Sequence, residues 1–326
     1  MHILIVARGA IPALKYGGTE RVIWYLGKEL VRMGHRVTYL TGKGSACDFA
    51  RVIEIDESLP LFRQIPADID VIHLNEELDG PVEQPHIVTI HGNIGHTNPM
   101  DQNCVFVSQD HARRHNSASY VYNGLDWDDY GQVQLKNKRE YYHFLGKAAW
   151  RVKNVRGAID TVLTWPGEKL YVLGGTRLNI KMGFRFTASP RVRFFGMVGG
   201  EEKNRLLQGS KGLVFPVRWP EPFGLAITES LYFGCPVFGT PYGSLPELVI
   251  PEVGFLADNK TELAGHLREA RYSPETCHEY ARDRFNSRIM AEEYLKRYER
   301  VLNGETLNPT PPHAQKPHDW PLDWKE

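Results

Sequence analysis

The sequence lacks a surplus of either charge, since 39 Lys and Arg balance 39 Asp and Glu over 326 residues. Without a global field nothing draws the chain to nucleic acid or anionic lipid as such, so any anion site must be local. Long hydrophobic runs are missing too. Nowhere do about 18 apolar residues follow one another, and the amino terminus, MHILIVARGA, has too short an apolar run and no basic leader for a secretory signal. A cytoplasmic protein is expected, with peripheral contact at the inner face of a membrane left open. Cysteine is scarce, and Cys47, Cys104, Cys235 and Cys277 form neither a CxxC nor a zinc spacing with histidine. They read as free thiols of a reducing compartment. No GxGxxG occurs, which disfavours a dehydrogenase-type dinucleotide fold.

What is present is a chain 42% hydrophobic and 24% charged, long enough for two cores. HILIVA (2–7) is a short continuous apolar run, the pattern of a strand buried on both faces of a parallel sheet. A helix follows, with Val22, Leu26, Leu30 and Met33 at helical spacing and Gly34 closing it. RVTYLT (36–41), RVIEI (51–55), DVIHL (70–74), HIVTIHG (86–92), CVFVS (104–108) and SYVYNG (119–124) read as further strands. After the polar KNKRE (136–140) a second series begins: YYHFLG (141–146), KLYVLGG (169–175), RVRFFG (191–196), GLVFPV (212–217), PVFG (236–239) and GFLA (254–257), with helices expected between. The spacing predicts two α/β, doubly wound, Rossmann-like domains, 1–137 and 138–303, facing a central cleft where open sheets bind ligands. The last long helix is expected over about Ser287 to Leu302. The proline-rich tail 304–326 cannot be regular helix; Trp320 and Trp324 suggest that it packs down, the alternative being disorder.

The stretch EPFGLAITESLYFGCPVFG places Glu221 before a helix beginning near Phe223 or Gly224, and Glu229 eight residues later within it. The first turn of such a helix offers the amides of Gly224 and Leu225 and the positive end of its dipole, a ready phosphate site. Eight helical residues rise about 12 Å, comparable with the distance from the ribose to the sugar of an extended nucleotide sugar. The plainer reading makes Glu221 a helix-start acid and Glu229 a solvated surface residue.

This stretch resembles the carboxylate pair of the retaining GT-B glycosyltransferases of family four, glycosyl transferases group 1. The surrounding PFGL and GCPV strengthen the likeness. The resemblance implies that Glu221 contacts hydroxyls of the donor sugar and that Glu229 binds the ribose. HFLGKAAWRVKN (143–154) is similar to the family's Gly-Arg and Lys loop, with Lys147 in the arginine position and Lys153 in the lysine position. These cations would neutralise a diphosphate leaving group without a metal, and Arg151 could supply the bidentate fork that Lys147 lacks. KYGGTERV (15–22) is similar to the glycine loop whose amides, at Gly17 and Gly18, approach the donor phosphate. His91 of TIHGNIGHTNP stands at a strand end that faces the donor sugar and its phosphate in that family, as a neutral hydrogen-bond donor or a charge stabiliser. FFGMV resembles the loop that reads the base through backbone atoms, at Met197 and Val198; Phe223 belongs to the phosphate corner. VYNGLD (121–126) matches a turn that is mostly architectural, and the HARRH cluster (111–115) reads as a solvated helix face.

The expected function is transfer of a hexose-type group from a nucleotide-sugar donor, UDP favoured and GDP allowed, to a hydroxyl acceptor. No cofactor and no metal are expected, and no nucleic-acid partner. Saccharide, lipid-linked and small-molecule acceptors stay open. Two alternatives carry less: a nucleotide-sugar epimerase on the same architecture, and a catalytically inactive nucleotide-sugar-binding subunit.

Overall fold

The structure, a computed structural model, describes residues 1–12, 17–77, 82–180, 182–269, 271–315 and 320–326. Lys15 and Tyr16 of the glycine loop, and residues 316–319 of the tail, lie outside the described residues. The chain divides into two compact units, Met1–Trp127 with Phe285–Pro317, and Asp128–Arg284 with His318–Glu326.

In the first unit the expected strands form: β1 (His2–Ala7), β2 (Arg36–Thr41), β3 (Arg51–Glu54), β4 (Val71–Leu74), β5 (His86–Ile90) and β6 (Cys104–Phe106). They pair in parallel in the order β3-β2-β1-β4-β5-β6. Every residue of β1 is buried, as its unbroken apolar run requires. SYVYNG does not become a full strand; it contributes one bridge, Phe106 to Tyr120, before turning away. Helix α1 (Gly18–Arg32) buries Val22, Leu26 and Leu30. The short α2 (Gln109–Arg113) corrects the solvated reading of HARRH, because His111 and His115 are fully buried against Phe106.

The second unit holds β7 (Tyr141–Leu145), β8 (Leu170–Leu173), β9 (Leu178–Asn179), β10 (Arg185–Phe186), β11 (Val192–Phe194), β12 (Ser210–Phe215), β13 (Val237–Gly239) and β14 (Gly254–Leu256). Its main sheet runs β11-β8-β7-β12-β13-β14, again parallel. Helices α3 (Val155–Leu163), α4 (Gly200–Gln208), α5 (Leu225–Tyr232), α6 (Leu245–Leu248), α7 (Lys260–Glu269) and α8 (Pro274–Arg284) lie between or after its strands. One crossover departs from expectation: β8 reaches β11 through the antiparallel hairpin β9-β10 rather than a helix.

The two sheets share one order, and each reverses direction beside its first strand. In a doubly wound sheet that reversal opens a crevice at the carboxyl ends of the strands. In the second unit the crevice lies after β7 and β12, between the loops holding Lys153 and Glu221.

The boundary expected at 137/138 falls inside the second unit. KNKRE is polar because Lys136 and Lys138 are exposed, while the segment around it is tied to this sheet. Arg139 donates to the Ser210 carbonyl at 2.6 Å and the Phe233 carbonyl at 2.9 Å, and Asn204 donates to the Tyr130 carbonyl at 3.0 Å. The last helix, α9 (Ser287–Leu302), packs on α1 and β5 of the first unit. Its Tyr298 and Tyr294 hydroxyls meet the buried polar groups of the sheet: His73 Nδ1 lies 2.7 Å from Tyr298 Oη, and Thr89 Oγ1 lies 3.0 Å from Tyr294 Oη. The tail is ordered where described. Asn308 donates to the Cys104 carbonyl at 2.9 Å in the first unit, and Trp320 packs edge-on against Trp219 in the second.

Burial pushes His73 and His143 down to about 3 and His91 to about 4. The unfolded chain, with histidines near 6.5, therefore binds more protons than the folded one between about 4 and 6.5. Stability falls as pH drops through that window. His86 opposes the trend: burial lowers its pKa, but the hydrogen bonds to Asp101 and the Gln84 carbonyl and the Asp101 charge together raise it. Five histidines are lowered (35, 73, 91, 111 and 143) against this one raised. The melting temperature should therefore drop between pH 7 and pH 5, and a melt unchanged over that range contradicts the account.

Candidate functional site

The loop after β7 turns through Gly146 and a 3-10 turn over Arg151–Lys153. Asn154 then takes a left-handed conformation, which its short polar side chain tolerates, and its Oδ1 caps α3 by accepting from Gly157 N at 3.0 Å. The same side chain donates to the Pro216 carbonyl at 2.9 Å, and Arg218 N donates to the Val152 carbonyl at 2.7 Å. These bonds join the loop after β7 to the loop after β12.

That junction brings Lys153 and Glu221 together. Lys153 Nζ donates to Glu221 Oε2 at 2.6 Å, with both side chains largely removed from solvent. Trp219 Nε1 donates to the same oxygen at 2.7 Å, and the Lys153 ammonium lies over the Trp219 ring, 4.6 Å from its centroid. A carboxylate held by one cation and one neutral donor keeps acceptor capacity for a ligand hydroxyl. Nothing in the sequence marks Trp219 beyond its place two residues before Glu221. Trp219→Phe keeps the ring but removes the N–H, and turnover should fall about tenfold, the worth of one hydrogen bond to a charged group. Wild-type turnover in that variant would show that the indole does not orient Glu221.

Helix α5 begins after Gly224, whose φ of 91° is open to glycine and costly for other residues. No side chain caps this end, so the first amides, at Leu225 and its neighbours, point outward with the helix dipole behind them. Glu221 precedes the helix, so only Leu225 to Glu229 is helical and that part rises about 6 Å; the 12 Å rise is not realised. Ser244 N donates to the Glu221 carbonyl at 2.9 Å and Ser244 Oγ to the Phe223 carbonyl at 2.6 Å, pinning the corner.

Neither acid is a solvated surface group. Glu229 is 2% exposed, and its Oε1 accepts from Tyr130 Oη at 2.7 Å and from Lys203 Nζ. Lys203, itself 6% exposed, and Tyr130 are neighbours of the candidate site that sequence reading missed. Their partner lies 26 and 99 residues away, and no local spacing announces such a pair.

The remaining candidates are placed as follows. Lys147 is exposed and lies over the Trp150 ring at 5.0 Å, in the same loop as Arg151 and Lys153. Phe223 is buried, so its side chain is core and only its backbone lines the corner. Met197 is exposed and Val198 buried, in the loop after β11. Beside that loop a pocket of about 300 Å³ is lined by Gly175, Thr176, Arg177, Arg193, Phe194 and Gly196.

In the first unit, Gly17 precedes α1 and Gly18 begins it, with Arg21 Nε donating to the Gly17 carbonyl at 3.1 Å. His91 follows β5 and its Nε2 lies 2.8 Å from Asn75 Oδ1. Burial lowers its pKa to about 4, so the ring is neutral near pH 7 and Nε2 is the donating nitrogen. The VYNGLD turn is architectural as expected: Asp126 pairs with Lys28 at 2.7 Å and Arg32 at 3.0 Å. Among the described residues no group of three or more His, Cys, Asp or Glu is placed to hold a metal, and no helix is long and apolar enough to cross a membrane.

Residues 185–284 match the family model for glycosyl transferases group 1, a segment running from β10 to the end of α8 and including Glu221 and Glu229. No curated protein sequence matches the chain. Among solved structures, the chain is similar to AviGT4, a glycosyltransferase of avilamycin A biosynthesis, at 23% identity and a TM-score of 0.75, covering 94% of this chain and 99% of that one. It is similar to sucrose-phosphate synthase from Thermosynechococcus elongatus at 20% identity and 0.70, covering 93% and 100%. A third is HepE of Anabaena, in complex with UDP and glucose, at 14% identity and 0.62, covering 91% and 98%. These likenesses establish the GT-B fold. The loop and helix that carry the paired acid thus lie within a segment matching glycosyl transferases group 1, in a chain whose fold is that of solved glycosyltransferases.

Proposed function

We propose that the chain transfers a hexose-type sugar from a nucleotide-sugar donor to a hydroxyl acceptor with retention of anomeric configuration and without a metal. The observation that carries this reading is the Lys153–Glu221 pair at the strand reversal of the second sheet, beside the uncapped start of α5. A donor lying there would set its diphosphate against the amides at Gly224 and Leu225 and the cations Lys147, Arg151 and Lys153. Negative charge develops on the departing diphosphate, and preorganised donors at that point lower the barrier. Glu221 accepts from hydroxyls of the transferred sugar. The acceptor hydroxyl attacks on the face from which the diphosphate leaves; the anomeric carbon–oxygen bond breaks as the new one forms, and the acceptor proton passes to the diphosphate. The roles of Glu229 at the ribose, of Met197 and Val198 at the base, and of Gly17, Gly18 and His91 rest on family resemblance.

A uridine nucleotide is the favoured donor. HepE, of the same fold, is solved with UDP and glucose, while a plant starch synthase of the same fold is solved with ADP and acarbose. A thermal-shift screen of UDP, GDP and ADP sugars separates the bases, because a ligand of the folded state raises the melting temperature with occupancy. Stabilisation by none of the three would remove the reading. Lys153→Ala should lower turnover about 100-fold while nucleotide affinity changes much less, the signature of a group acting on developing charge. An unchanged turnover number would exclude Lys153 from leaving-group stabilisation.

A further inference from the structure

The hairpin that replaces a helix between β8 and β11 carries an unusual face. Leu178, Ile180, Met182, Phe184 and Phe186 occur at every second position, and their exposures are 47%, 69%, 46%, 80% and 60%. Arg185 pairs with Asn179 and Phe186 with Leu178, so the alternation of a strand sets the apolar members on one side. Asn179 and Arg185, on the other side, are half-buried. Apolar side chains gathered this way on a soluble surface mark a docking face.

The charge around it points to the partner. From Lys169 to Gly200 the sequence has six cations, Lys169, Arg177, Lys181, Arg185, Arg191 and Arg193, and no acid, in a chain that is neutral overall. The guanidinium groups flanking the hairpin bind neutral oxygens rather than carboxylates. Arg177 donates to the Thr187 and Val192 carbonyls at 2.6 Å, Arg185 to the Thr176 carbonyl at 2.9 Å, and the exposed Arg193 lies against the Tyr171 and Phe195 rings. Among the described residues, Arg177, Arg185 and Arg193 thus bring positive charge to the hairpin without an ion-pair partner.

We infer that the β9-β10 hairpin docks on an anionic lipid bilayer, its Ile180, Met182 and Phe184 entering the interface and its arginines meeting the headgroups. Apolar insertion and basic attraction act together in such binding, and neither alone holds a protein well. A folded protein partner of this face would have to supply acids around an apolar patch; a bilayer of anionic lipid presents both layers at once. The hairpin also bears on the phosphate loop: a Cβ on Gly183 would come within 2.6 Å of Arg151 Nη2, so the turn seats directly on that guanidinium. Docking therefore sets the Arg151 loop beside the membrane surface. The inference stands independently of the donor chemistry.

Vesicle co-sedimentation tests it with the full chain. The protein should sediment with vesicles containing phosphatidylglycerol, stay behind with pure phosphatidylcholine, and be released by high salt. Ile180→Ser with Phe184→Ser should weaken binding at least tenfold at an unchanged melting temperature, and Phe184→Ser alone should give a smaller loss in the same direction. A wild-type chain that remains in the supernatant, equal binding to neutral vesicles, or a double variant that sediments like the wild type would each overturn the inference. So would light scattering that finds a dimer in the wild type and a monomer in the variant, since a second copy would then cover the face.

Discussion

Replacing Glu221 by alanine is expected to cut transferase turnover about 1,000-fold while UDP affinity changes less than tenfold. The expectation follows from where the carboxylate sits. Its Oε2 gathers Lys153 at 2.6 Å and the Trp219 N–H at 2.7 Å just before the turn into α5. The groups proposed to hold the diphosphate, by contrast, are amides and cations that the substitution leaves in place. Loss of the acid should therefore appear in turnover rather than in nucleotide binding. Glu221→Gln keeps the shape and one acceptor oxygen but loses the charge that holds Lys153, and it should lie between alanine and wild type. Turnover of donor and acceptor, with UDP affinity by calorimetry, reads both quantities. Full turnover in the alanine variant would take Glu221 out of the mechanism, and a matched collapse of UDP binding would move it from the sugar to the nucleotide.

Lys203→Met is expected to lower stability by about 3 to 5 kcal/mol, because it removes the cation from a carboxylate that has no access to water. In a unit of this size that is a fall in melting temperature of about 10 °C. Glu229 is 2% exposed and Lys203 6%, so solvent screens the pair little, and the neutral Tyr130 hydroxyl cannot balance a full charge. The double variant Lys203→Met with Glu229→Gln should recover most of the loss, since a neutral amide still accepts from the Tyr130 hydroxyl. A melting temperature within 2 °C of wild type for the single variant would mean that the buried acid is satisfied without the lysine; failure of the double variant to recover would assign the loss to the packing of the lysine stem.

The sequence carried most of the fold because parallel strands buried on both faces leave unbroken apolar runs, as in HILIVA and GLVFPV. It carried the Glu221 corner because a strand, two prolines, a glycine and a helix follow one another locally. Partnerships across long separations left no such trace. Lys203 sits in GEEKNRLL, where it reads as one more surface lysine until α4 folds against Glu229. Trp219 reads as a loop aromatic until the loops after β7 and β12 meet. The hairpin was written in the alternation of RLNIKMGFRF, yet a crossover between parallel strands is so regularly a helix that the expectation overrode it. KNKRE looked like a linker because polarity marks exposure, and an exposed segment need not be a boundary.

The first unit is interrupted in sequence by the whole of residues 128–284. On a ribosome, β1 to β6 emerge early, yet the phenols that meet His73 and Thr89 come from Tyr298 and Tyr294 of α9. Until that helix emerges, the imidazole and hydroxyl at the centre of the first sheet have no phenol to bond. The intervening strands β7 to β14 can meanwhile close their own sheet. The later unit's sheet can thus close before the early unit has all its partners, and a chain stopped before α9 would be left with an early unit that lacks these bonds at its buried polar groups.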